Sequence, residues 1–165
     1  MLLCLFVVGL AGPGVGCKNA PTIPGTEIPD TEDNRDILRV LERYRTSFVR
    51  RDAAGVLSTA HPTYYDSAGT DDPTDDIGYG ELGPILRERL AQLEAIRFTI
   101  DYLEVNVVED RALVKVWIDA SFQLHDIADA ESGEIRVEGR HTRKQDHAQF
   151  ELLREQGAWR ITKGL

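Results

Sequence analysis

Ala112-Leu113-Val114-Lys115-Val116-Trp117-Ile118-Asp119-Ala120-Ser121-Phe122-Gln123-Leu124-His125 is the stretch that decides the fold. Ala112, Val114, Val116, Ile118, Ala120, Phe122 and Leu124 fall on every second position, with Lys115, Asp119, Ser121, Gln123 and His125 between them. Successive strand side chains point to opposite faces, so this period of two marks a long strand with one face in a core. Leu113 and Trp117 interrupt the polar row. An indole on a water-facing sheet surface suggests a partner surface, such as a homodimer through the outer sheet. The alternative is a single Trp shielded by the long side chains beside it.

Upstream, residues 98–108 alternate as Phe98, Ile100, Tyr102 and then shift phase to Leu103, Val105, Val107. A phase change within one strand is what a β-bulge produces, and bulges bend sheets. Glu109-Asp110-Arg111 turns the chain into the regular strand. Downstream, a loop over 126–133 leads to a strand around 134–137. Ala148, Phe150 and Leu152 mark the next strand, and Gln156-Gly157 turns it into Trp159-Arg160-Ile161.

Three helices precede these strands. Ile37, Leu38, Leu41, Tyr44, Phe48 and Val49 form a stripe at helical spacing, with Asp33 or Asn34 as the expected cap. Asp52 caps a short second helix whose inward residues are Ala53, Val56, Leu57 and Ala60, and His61-Pro62 ends it. Thr63–Asp66 reads as a short strand, followed by an acidic loop over 67–79. A third helix begins near Gly80, with Leu82, Ile85, Leu86, Leu90 and Leu93 buried and Pro84 in its first turn. Helices first and hairpin-linked strands afterwards, without βαβ alternation, predict an α+β domain. Its three N-terminal helices pack on one face of a strongly curved antiparallel sheet, a cone-shaped roll.

The 165 residues suit one domain after a leader. The net charge of −9 lies wholly on the part after residue 16, and such a surface repels phosphate backbones, so nucleic acid is not an expected partner. Cys4 and Cys17 both precede the domain body, which excludes an internal disulfide or a cysteine metal site there. Residues 2–10 are an apolar run, too short to cross a ~30 Å hydrocarbon core but suited to the apolar region of a secretory signal. Lys18 to Asp33, with Pro21, Pro24, Gly25 and Pro29, reads as an extended tether.

Gly14-Val15-Gly16-Cys17 resembles the processing site of bacterial lipoprotein precursors, in which a small residue precedes a lipidated cysteine. It departs from that pattern at Gly14, where an aliphatic residue is usual, and no Lys or Arg precedes the apolar run. The resemblance implies a signal peptide over 1–16, a lipid on Cys17, and a tether over 17–33 that holds the domain off the membrane. Lys18 points by the same resemblance to the outer membrane, facing the periplasm.

Residues 34–165 resemble the nuclear transport factor 2-like superfamily, with its SnoaL-like and ketosteroid-isomerase-like members. The carrying segments are Ile37–Tyr44 leading to Arg51–Leu57, then Tyr64-Tyr65-Asp66, and finally Phe150–Leu153 with Gly157–Ile161. The resemblance implies a cone with a pocket between sheet and helices, frequently dimeric. It does not specify chemistry, because enzymes, transport factors and binders share this fold.

An enzyme on this frame needs a carboxylate, His or Tyr inside the cone. Asp146 is the best carboxylate, sharing strand parity with Ala148, Phe150 and Leu152; its alternative use is a strand-end Asp that is exposed or paired with an Arg. Tyr44 and Tyr65 are candidate phenols and Asp66 a candidate base at the rim. Tyr44 equally fits a core position, and Asp66 a turn. No fixed catalytic pair emerges. His61, His125, His141 and His147 are scattered; His141 and His147, six strand residues apart, lie ~20 Å from each other and cannot share a metal. The acidic loop lacks the ligand order of a calcium loop. No metal or cofactor is expected. The leading reading is a non-catalytic envelope lipoprotein whose domain binds a small apolar ligand or a protein partner. The alternatives are a SnoaL-like isomerase or hydrolase using a pocket carboxylate, and a sheet-mediated dimeric scaffold.

Overall fold

The computed structural model describes residues 21–67, 72, 74–128, 135–137 and 139–165. The leader, Cys17 and part of the acidic loop lie outside the described residues.

Three helices precede the main sheet: α1 (Glu32–Val49), α2 (Ala53–Leu57) and α3 (Tyr79–Ala91). A small ladder, β1 (Tyr65–Asp66) with β2 (Ile77–Gly78), sits between α2 and α3. Four long strands then pair antiparallel in the order β3 (Leu93–Val108), β4 (Arg111–Leu124), β7 (His141–Glu155) and β8 (Ala158–Lys163). A side hairpin, β5 (Ile127–Ala128) with β6 (Ile135–Val137), fills the excursion between β4 and β7. The expected α+β arrangement, helices on an antiparallel sheet, is therefore the observed one.

The inward row of β4 behaves as its alternation requires. Ala112, Val114, Val116 and Ala120 are buried, and Ile118 and Phe122 pack against the same cluster from its margin. The phase change in β3 is a bulge: the register slips between Tyr102 and Glu104, leaving Leu103 as the extra residue, 47% exposed. A second slip, between Leu93 and Ala95, has no counterpart in the sequence pattern. Glu109 and Gln156 take left-handed conformations at the two hairpin turns, and Gly157 completes the second.

Several boundaries differ from expectation, among them the end of α2, at Leu57 rather than at His61-Pro62. The segment read as an extended tether is folded from residue 21 onward. Thr22 bridges Pro29, Ile23 N–H donates to Ile28 O at 2.9 Å, and Ile28 is only 1% exposed. One buried Ile between prolines leaves no period to detect. Thr31, not Asp33 or Asn34, caps α1 by accepting the Asn34 N–H at 3.2 Å, while the Asn34 amide reaches Pro29 O at 2.8 Å. Leu93 opens β3 rather than closing α3, whose buried residues are Leu82, Gly83, Leu86 and Leu90. Pro84 lies in the second turn of α3, not its first. Asp52 does cap α2, accepting the Gly55 N–H at 2.9 Å.

Candidate functional site

The space between sheet and helices is where a cone-shaped fold would hold a ligand, and here aromatic side chains occupy it. Helical spacing places Ile37, Leu41, Tyr44 and Phe48 on the sheet-facing side of α1. Tyr44 meets Phe98 and Phe150 nearly edge-on, with ring centroids 5.7 and 5.6 Å apart. Phe48 extends the cluster to Phe98 at 5.3 Å and Phe122 at 6.3 Å. Each such pair adds about 0.5–1.5 kcal/mol beyond area burial. Burial, with Tyr64 nearby, holds the Tyr44 phenol protonated well above the usual tyrosine range. Tyr44 is thus a packed core residue.

Asp146 has the parity expected of it, opposite Ile118, but is not desolvated. Residues 141–147 of β7 are all exposed, because the strand runs beyond the helical cover. The Asp146 side chain is 61% exposed, and its nearest cation is Lys144, 4.0 Å away. This corrects the pocket-carboxylate expectation: strand parity fixes a face, not the depth of cover over it.

Tyr65 is also misplaced by the sequence reading. It is 54% exposed, and its phenol donates to the Asp76 carboxylate. Tyr64 is the inward residue, 3% exposed. Its hydroxyl faces Asp66 Oδ2 and Leu165 O, each at 3.4 Å, and accepts the Leu165 N–H at 3.2 Å. Burial pushes its pKa up to about 12, with the Asp66 charge adding to the shift. Asp66, the candidate base, lies beside this phenol. The two-residue strand β1 is too short for a period to tell Tyr64 from Tyr65. His61, another buried polar residue, accepts the Thr63 N–H on Nδ1 at 3.1 Å. Its Nε2 lies 3.2 Å from Glu155 Oε2, which ties the chain after α2 to β7.

The outer face of the sheet is different in character. Trp117 lies opposite Asp101 and His147, stacked edge-on against the imidazole at 4.8 Å, with Leu113 further along β4. Both Trp117 and Leu113 are half-buried. Ion pairs flank them: Lys115 with Glu104 at 2.7 Å and Arg143 with Asp119 at 2.6 Å. Beyond Asp119, a cleft of about 520 Å³ opens between Arg97, Ser121, Gln123, His141 and Arg143. The sequence reading singled out Trp117 and Leu113 but missed this cleft, whose residues come from three strands.

No protein-family model matches the sequence, and no curated protein matches it either. Solved structures do share the fold. A conserved protein from Planctomyces limnophilus superposes with a TM-score of 0.64 at 16% identity, over 80% of this chain and 92% of that one. A candidate scytalone dehydratase from Novosphingobium aromaticivorans gives 0.62 at 11% identity, over 80% of each chain. A candidate dehydratase of the nuclear transport factor 2-like family from Streptomyces avermitilis gives 0.57 at 16% identity, over 80% of this chain and 93% of that one. At such identities the likeness is one of fold.

Proposed function

We propose that this chain is a non-catalytic, lipid-anchored domain of the cell envelope that docks a protein partner on the outer face of its sheet. The observation that carries the reading is Trp117, set with Leu113 on a face that no other described element covers. Half-buried aromatics flanked by polar residues are the usual centre of a docking patch. The interior supports the same choice, since aromatic rings fill the cone and its expected carboxylate, Asp146, stands in water. Those facts weigh against the small apolar ligand as well as against catalysis. The leader and Cys17 support export and anchoring, and Lys18 supports the outer membrane facing the periplasm.

A photocrosslinking residue in place of Trp117, in the full chain in cells, tests the docking face. The reading expects one discrete adduct, to an envelope protein or to a second copy of the chain; the absence of any adduct contradicts it. Palmitate labelling that persists in Cys17→Ser would remove the anchor.

One contact favours a second reading. Tyr64 and Asp66 form a phenol–carboxylate pair, and candidate dehydratases share the fold, so acid–base chemistry on a small substrate beside Tyr64 is the alternative. It requires open space next to that phenol, and a turnover that Tyr64→Phe abolishes while the fold is kept.

A further inference from the structure

We propose that the cleft at the β5-proximal end of the outer sheet face binds a small oxyanion, a carboxylate or phosphate group, between Arg97 and Arg143 and over Ser121. The register sets the geometry. Arg97 on β3, Ser121 on β4 and Arg143 on β7 are direct cross-strand partners and lie in one row. Neighbouring strands are about 4.8 Å apart, so the two arginine backbones stand about 10 Å from each other with the serine midway. Long guanidinium side chains can close on one anion from both sides at that separation.

The two arginines are prepared differently. Asp119 accepts from Arg143 Nε at 3.0 Å and from Nη2 at 2.6 Å, and also takes the Gln145 amide at 3.0 Å. The Arg143 fork is thereby fixed in direction, with Nη1 left over for a ligand. Arg97 makes no hydrogen bond or ion pair among the described residues, although it adds to the field that lowers the Asp119 pKa. Arg97, Arg143 and Asp119 together carry two positive charges against one negative. His141 and Gln123 supply further polar groups at the far wall, and the cleft's size of about 520 Å³ is that of a small-molecule site.

This site goes beyond the docking reading and does not depend on it. Trp117 is two rows from Ser121, about 14 Å along the strand, so the two surfaces are separable by mutation. Titration of the ¹⁵N-labelled domain with inorganic phosphate, and separately with succinate, at low ionic strength reads the site directly. Saturable shifts at Arg97, Ser121 and Arg143 with either probe are expected. Arg97→Gln weakens them about tenfold or more, since it removes a charge-assisted contact. Lys115→Gln removes the same charge three rows away and leaves the affinity within about twofold. Trp117→Ala leaves it unchanged. Neither probe saturating, or equal weakening by Arg97→Gln and Lys115→Gln, overturns the proposal.

Discussion

Burial decides what the tyrosines of this chain can do. Tyr44, Tyr64 and Tyr102 all lose water on folding, and desolvation is the largest cause of the upward shift in each. Tyr64 and Tyr102 reach about 12, against about 10 for a free phenol. Between those values the unfolded chain holds fewer protons than the folded one. Stability is therefore complete below pH 10 and is lost as pH rises towards 12. The urea midpoint should fall between about pH 9 and pH 11, and Tyr64→Phe should remove part of that fall. A midpoint flat across the range contradicts the burial of these phenols. The same physics explains why Tyr65 was the wrong phenol to read as inward. Adjacent residues alternate faces, and a two-residue strand carries no pattern to say which one enters.

At the scale of elements, the open edges of the sheet are each managed. β3 is an edge strand of 16 residues, and long bare edges invite pairing with other chains. Arg45 of α1 donates to Phe98 O at 3.3 Å, and Arg51 donates to Leu93 O at 2.7 Å, so two strand carbonyls are capped by the neighbouring helix end. At the other edge, β8 exchanges bonds with the chain after α2. His61 N–H donates to Ile161 O at 2.8 Å, and Ile161 N–H to Thr59 O at 2.9 Å. Removing both arginine caps, Arg45→Ala with Arg51→Ala, should promote association through β3. Light scattering on warming should rise well before that of the parent chain; identical onset would show that the caps do not guard the edge. The strands themselves were legible because Ala112–Leu124 keeps one period for its full length and Tyr102-Leu103 breaks another at one point. The junction of α3 and β3 was not. Leu90 and Leu93 sit three apart, a spacing a helix accepts, so the period carries on past the residue where the helix stops.

At the scale of the molecule, the short fold at residues 21–30 sets how closely a lipid on Cys17 would hold the domain. Four Cα–Cα steps, through residues 18–20, connect Cys17 to Pro21, and they span at most about 14 Å. With a lipid on Cys17 the domain should lie against the headgroups, not at the end of a long leash. Neutron reflectometry of the lipidated chain on a supported bilayer should place protein density directly at the surface, and a water gap wider than that reach contradicts the short anchor.

The filled interior bears most directly on function, since a ligand or a reaction inside the cone needs room beside Tyr44 and Tyr64. Xenon enters dry apolar cavities large enough to hold it, so a crystal of the domain pressurised with xenon reports that room. The packed aromatic cluster predicts no xenon atom bounded by Tyr44, Phe98 and Phe150. An ordered xenon at that place would return the function to the cone.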